Sequence, residues 1–260
     1  MSSNFVTSPP DFYGPWLKVE RAEHHISDLE TRFRNYVSSN VKRLRPERKH
    51  RTLKQGRPLK PKTFDEHIPT ILGDAVHNLR AALDHAYHIA AEANSATWSD
   101  YRRFPFHGDR QSLIGSINGH KGKGITPSES VINVIVNEIQ PYAGGKLNLK
   151  GLHDLDITDK HIVLIPTTSA MHIESLEFRD ASGAKTGSGI FGITFKADQS
   201  KGAEFIDTGH YGAILNGNPQ NVFDICFSQG QPFENQSIIA TLKSLLNATS
   251  EAIRLIEAKT

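Results

Sequence analysis

Apolar residues recur at intervals of three and four along residues 16–40, at Ala22, Ile26, Leu29, Phe33 and Val37. That spacing returns each side chain to one side of a 3.6-residue helix, so it predicts a first amphipathic helix. A second is predicted over roughly 67–93, with Asp65 before it and Pro69 at its start. Its stripe is Leu72, Ala75, Val76, Leu79, Ala82, Leu83, Ala86 and Ala90. Thr126, Pro127 and Glu129 place a cap residue, a first-turn proline and an acid before VINVIVNEIQ, which predicts a third helix. Pro141 and the Gly144-Gly145 pair end it. From about residue 162 the pattern changes to short apolar or alternating runs, IVLIPT, IESLEFRD, FGITFKAD, EFIDT and NVFDICFS, separated by Gly, Asn, Asp and Ser. These read as strands. Helical spacing returns over 235–258, with Ile239, Leu242, Leu246, Ile253 and Ile256. The expected fold is α+β: a mainly helical four-helix bundle with a β-rich insertion before its last helix. A single domain is expected over 1–260, with the bundle at 16–160 plus 235–258 and the β-rich section at 162–230.

Composition narrows the class. Hydrophobic residues make up 37% of the 260 positions and charged residues 22%, as in ordinary globular proteins. No apolar run is long enough for a membrane span, and MSSNFVTSPPDFYGP has no basic start before an apolar stretch. With Cys226 as the lone cysteine, no internal disulfide can form. A cytoplasmic location with no membrane association is the expectation. The net charge of +2 conceals a segregation. Ten of the Lys and Arg residues fall between Lys42 and Lys62 against one acid, Glu47, together with three prolines. Like charges at this density do not pack as a core element, so 42–62 is expected to be a basic arm or loop. Lys42, Arg43, Arg45, Arg48, Lys49 and Arg51 are its candidate phosphate contacts. GHKGKG at 119–124 reads as a second basic loop.

Candidate chemistry concentrates in GDAVHNLRAALDHAYH, residues 73–88. At about 100° per residue, Asp74, His77, Asn78, Asp84, His85 and His88 share one side of the helix, opposite the apolar stripe, with Arg80 at the edge. Residues four apart can pair, as Arg80 with Asp84, Asp84 with His88 and Asp74 with Asn78. Histidine exchanges protons near neutral pH, which Lys or Glu at the same places would not. A second cluster, GLHDLDITDKH, holds His153, Asp154, Asp156, Asp159, Lys160 and His161. It reads either as acid–base or metal-ligating residues or as a capped turn entering the β-rich section. The two clusters make one site if the fold brings them together.

The run ILGDAVHNLRAALDHA, followed by FPF, IQPY and LHDLDITDKH, resembles a family of bacterial and phage proteins across roughly residues 70–165. That resemblance carries no activity with it. Arg80-x4-His85 on a bundle helix is also similar to the motif of the HEPN superfamily, many of whose members are metal-independent ribonucleases of toxin or phage-defence systems. What the resemblance implies is a homodimer acting on RNA without a cofactor, with Arg80 on the phosphate and His85 handling the proton or the phosphate. Asp84 and His77 would stand beside them, and His153, Asp159, Lys160 and His161 would share the site. On an ideal helix Arg80 and His85 are about 140° apart, so they would converge across a dimer or through side-chain reach. Two other readings stand beside this one. One is a hydrolase or oxygenase with a divalent metal ion on His77, His88, Asp159 and His161. The other is a non-enzymatic binding or regulatory protein.

Overall fold

The computed structural model describes residues 10–41, 65–96, 99, 102–161, 166–179, 185–198, 202–203 and 225–260. The described residues are mainly helical. The helices are α1 (Tyr13–Val41), α2 (Ile68–Ala93), α3 (Arg110–Lys121), α4 (Glu129–Val134), α5 (Leu149–His161) and α6 (Ile238–Glu257). The first, second and last agree with the expected periodicity within a few residues. By internal contacts the chain divides into two compact units. One draws on 1–26, 70–164 and 242–260, and the other on 27–69 and 165–241.

The first unit is built on the α2 stripe. Leu72, Ala75, Val76, Leu79, Ala82, Leu83 and Ala86 are buried, as are Ala22 and Ile26 of α1, Leu149, Leu152 and Leu155 of α5, and Leu242, Ile253 and Ile256 of α6. Each fully buried Leu or Ile stabilises by roughly 1.5–3 kcal/mol. Helices α3 and α5 are additions to the expected set. α5 occupies the second polar cluster, which is therefore a helix and not a turn. Its apolar residues recur every three positions, but five charged side chains between Lys150 and Lys160 mask the pattern. α3 takes in the start of GHKGKG, so Gly119, His120 and Lys121 are helical and only the following residues turn.

The third expected helix exists, with a different cap. Ser128, not Thr126, is the N-cap, and its hydroxyl accepts from the Val131 N–H. Thr126 is buried, and its carbonyl accepts from Asn94 Nδ2 instead. α4 continues into a π-helical turn, Ile135–Ile139, closed by the Gln140 N–H on the Ile135 carbonyl at 2.9 Å. Gln140 is left-handed (φ 56°, ψ 63°). Its side-chain amide donates to the Asn137 carbonyl and accepts from the Lys146 N–H, which holds this turn in place. Gly145 packs so closely on the Gln140 carbonyl that no Cβ fits. Beyond the turn, the Pro141 carbonyl accepts from the His107 N–H at 3.1 Å, and His107 bridges Tyr142. The IQPY and FPFH segments are thus joined through their backbones.

In the second unit, Arg32 pairs with Asp28 and Asp65, and Asp65 Oδ1 accepts from the His67 N–H at the entry to α2. Backbone pairing is described for β1 (Pro166–Arg179), β2 (Lys185–Asp198), β3 (Gly202–Ala203) and β4 (Ile225–Phe227), in the order β3-β2-β1-β4, all antiparallel. Cys226 of β4 is buried. The expected strand EFIDT, most of the IVLIPT run and the first half of NVFDICFS lie outside the described residues, as does the expected basic arm or loop 42–62. No described helix is long and apolar enough to cross a membrane.

Candidate functional site

The two polar clusters read from the sequence meet along the seam between α2 and α5. Three pairs of positions form a ladder: Gly73 with Asp159, His77 with Asp156, and Arg80 with His153. Numbers rise along α2 as they fall along α5, so the helices are antiparallel here. Gly73 is a space requirement, because the Asp159 carboxylate lies where its Cβ would be. One turn on, His77 Nδ1 is 3.2 Å from Asp156 Oδ1, and Lys160 Nζ donates to Asp156 Oδ2 at 2.6 Å. One turn further, Arg80 Nε donates to His153 Nδ1 at 3.4 Å.

Arg80 is held on several sides. It is 8% exposed and forms an ion pair with Asp84, one turn along α2. Its Nη1 lies against that carboxylate without hydrogen-bond alignment, so this buried nitrogen has attraction but no directed acceptor. Phe106 packs its ring 4.3 Å from the guanidinium carbon, a cation–π contact, and lies parallel to the His153 ring at 4.9 Å. Asp84 Oδ1 also accepts from the Phe104 N–H at 2.8 Å. One carboxylate therefore orients the arginine and anchors the FPF segment that covers it. Phe104 packs edge-on against Tyr87 and Phe106.

Beside this assembly is a cleft of about 460 Å³. Arg80, Arg103, Phe106, His107, His120 and His153 line it, and among the described residues none that lines it is acidic. His107 is placed by its backbone link to IQPY. His120 comes from α3, whose start is capped by Asp109 accepting from the Ser112 N–H at 2.8 Å. The three imidazoles are all pushed below the usual histidine range. Burial is the largest cause for each, followed by Arg80 for His153, His120 for His107 and Lys123 for His120. At neutral pH the cleft therefore carries neutral imidazoles beside two arginines. A buried arginine with neutral nitrogen donors and acceptors around it suits an anion that brings its own charge.

The other residues expected from the sequence are distributed as follows. His85 does not line the cleft; it sits beside Gly14 of α1, and burial, then Lys18, lowers its pKa. His88 pairs with Glu92 at 3.2 Å, one turn on, where Asp84 was the expected partner. Asn78 bonds the Asp74 backbone carbonyl at 2.8 Å, not its carboxylate. His161 is the exposed last residue of α5. Among the described residues, no three His, Cys, Asp or Glu side chains gather with metal-ligand spacing, so the set His77, His88, Asp159 and His161 is not assembled. Lys42, Arg43, Arg45, Arg48, Lys49 and Arg51 lie outside the described residues. Sequence reasoning missed Arg103, Phe106, His107 and His120. The available signal was the FPFH run, whose histidine follows two aromatics, but nothing in its spacing ties it to α2.

Comparison of the chain with protein-family models, with curated proteins and with solved structures finds no match in any of the three.

Proposed function

We propose that the protein is a HEPN-like, metal-independent endoribonuclease, of the kind found in toxin or phage-defence systems, with the α2–α5 cleft as its active site. The observation that carries this reading is the buried Arg80, oriented by Asp84, His153 and Phe106 at the wall of a cleft that also holds His107 and His120. Phosphodiester cleavage without metal needs two things from a protein: fixed donors for the phosphate oxygens, and groups that move a proton near neutral pH. Arg80 and Arg103 supply charge to the phosphate. His153 accepts from Arg80 at Nδ1, so in its neutral form it carries its proton on Nε2 and donates there. His107 and His120 are the candidate proton donors to the leaving oxygen, since a bound phosphate raises their pKa. Phe106, part-exposed at the cleft, offers aromatic surface for a base. The basic arm 42–62 adds phosphate contacts that do not read sequence. On this reading the helices form a four-helix bundle with a β-rich insertion before α6, and the protein acts as a cytoplasmic homodimer.

This reading changes one role implied by the Arg-x4-His resemblance. Arg80 keeps the phosphate, but the imidazole it bonds beside the cleft is that of His153, not His85. The test is cleavage of a labelled oligoribonucleotide by chelator-treated protein. The wild type yields 2′,3′-cyclic phosphate and 5′-hydroxyl ends. Arg80→Ala and His153→Ala abolish cutting while His85→Ala retains it. Intact RNA after prolonged incubation with folded wild-type protein overturns the reading.

A further inference from the structure

The ribonuclease reading leaves open which group takes the proton from the attacking ribose hydroxyl. The seam beside the cleft holds an imidazole whose surroundings suit that task. His77 lies on α2 three residues before Arg80, and its partner Asp156 lies on α5 three residues after His153. The pair is therefore just under one helical turn, about 4.5 Å along the axis, from the phosphate-holding pair. Asp156 is buried, with a side chain only 3% exposed, whereas the His77 side chain is 57% exposed. A carboxylate that already accepts from Lys160 at Oδ2 can only accept from His77 at Oδ1. Neutral His77 is thus held with its proton on Nδ1 and its lone pair on Nε2. That nitrogen is on the side of the ring away from Asp156, on a side chain that is more than half exposed.

The tautomers along the seam are complementary. His153 accepts at Nδ1 from Arg80 and presents a donor, while His77 donates at Nδ1 to Asp156 and presents an acceptor. We propose that His77 Nε2 is the proton acceptor for the ribose 2′-hydroxyl next to the phosphate held by Arg80, and that Asp156 is its positioning residue. This rests on the ribonuclease reading and deepens it. The step balances as follows. The 2′-hydroxyl proton passes to His77 Nε2, and O2′ forms a bond to phosphorus as the P–O5′ bond breaks. O5′ takes a proton from His107 or His120. A 2′,3′-cyclic phosphate and a 5′-hydroxyl leave. The substrate class follows: a strand with a free 2′-hydroxyl on the 5′ side of the bound phosphate, hence RNA and not DNA.

The test compares wild type, His77→Ala, Asp156→Asn and the double variant on one oligoribonucleotide with chelator present. Binding is measured separately with the same oligomer carrying a single 2′-deoxy sugar at the cut site. His77→Ala is expected to lower kcat on the order of 10²–10⁴-fold, with KM and binding of the deoxy oligomer nearly unchanged. Added imidazole restores part of the lost rate. Asp156→Asn lowers kcat without matching loss of binding, because an amide donating to Nδ1 moves the imidazole proton to Nε2. The double variant is no slower than His77→Ala. If His77→Ala cuts at about the wild-type rate, or if its rate loss is matched by a binding loss that imidazole does not relieve, this assignment is overturned while the ribonuclease reading stands. A wild type that leaves RNA intact overturns both. Because His77 is exposed, its variant decides the matter even if Asp156→Asn proves unstable.

Discussion

Arg80 shows how one side chain can be over-determined. A buried guanidinium is tolerated when its charge is paired and its planar surface is covered. Asp84 does the first and Phe106 the second. Removing the carboxylate's charge strands the arginine. Asp84→Asn, which can still accept from the Phe104 N–H, is expected to destabilise by about 1–3 kcal/mol; this is less than for a fully buried pair, because Asp84 is partly exposed. Arg80→Met in the same chain should recover much of that loss, since no charge is left behind. Urea unfolding of the two singles and the double checks this, and an additive double variant would refute the coupling. The Arg80–Asp84 pair was legible from i,i+4 spacing alone. The contacts with His153 and Phe106 were not, because they join residues 73 and 26 positions apart in the chain.

At the scale of elements, two glycines set close approaches. Gly145 lies against the Gln140 carbonyl, and both belong to the turn whose Pro141 anchors His107. Gly145→Ala must displace backbone, so a loss of about 1–3 kcal/mol is expected. The same variant should weaken inorganic phosphate binding in the cleft several-fold, read by calorimetry, because His107 shifts with its anchor. Gly73 lies mid-helix, where alanine normally gains up to about 1 kcal/mol. Here the Asp159 carboxylate occupies the space, so Gly73→Ala should bring no gain in the wild-type chain. It should stabilise by about 0.5–1 kcal/mol once Asp159→Ala has cleared the space. Thermal melts of that four-member cycle test the claim. Helices α1, α2 and α6 were legible because each repeats its apolar positions over many turns. α5 was not: its three leucines span barely two turns and are outnumbered by polar residues that serve the seam with α2.

For the molecule as a whole, the lowered imidazoles set a pH dependence. His85, His107, His120 and His153 all have folded-state pKa values below the ordinary 6.5, with burial the largest cause in each. Below about pH 6.5 the unfolded chain therefore binds more protons than the folded one, and stability falls as pH falls from there toward the folded values. Carboxylates add to the loss at lower pH, beginning with Asp65 and Asp109, whose pKa values are held down chiefly by the His67 and Ser112 N–H groups. The unfolding midpoint should drop between pH 7 and pH 5. Phosphate should oppose the drop, because an anion in the cleft favours protonated His107, His120 and His153. Melts with and without phosphate across that range check the sign. A midpoint that rises on acidification would contradict it.

The sequence alone determined where the long helices run, since amphipathic periodicity is a local property that burial in any compact fold must respect. It also determined that α2 would carry its imidazoles and carboxylates opposite its apolar stripe, with Arg80 at the edge. Only the tertiary structure decided which of those groups would work together. Antiparallel packing of α2 on α5 gave His77 and Arg80 different partners, and so opposite proton arrangements at His77 and His153. The backbone link from FPFH to IQPY brought in His107, and α3 brought in His120. Those choices depend on distances between segments far apart in the chain, which no local pattern encodes.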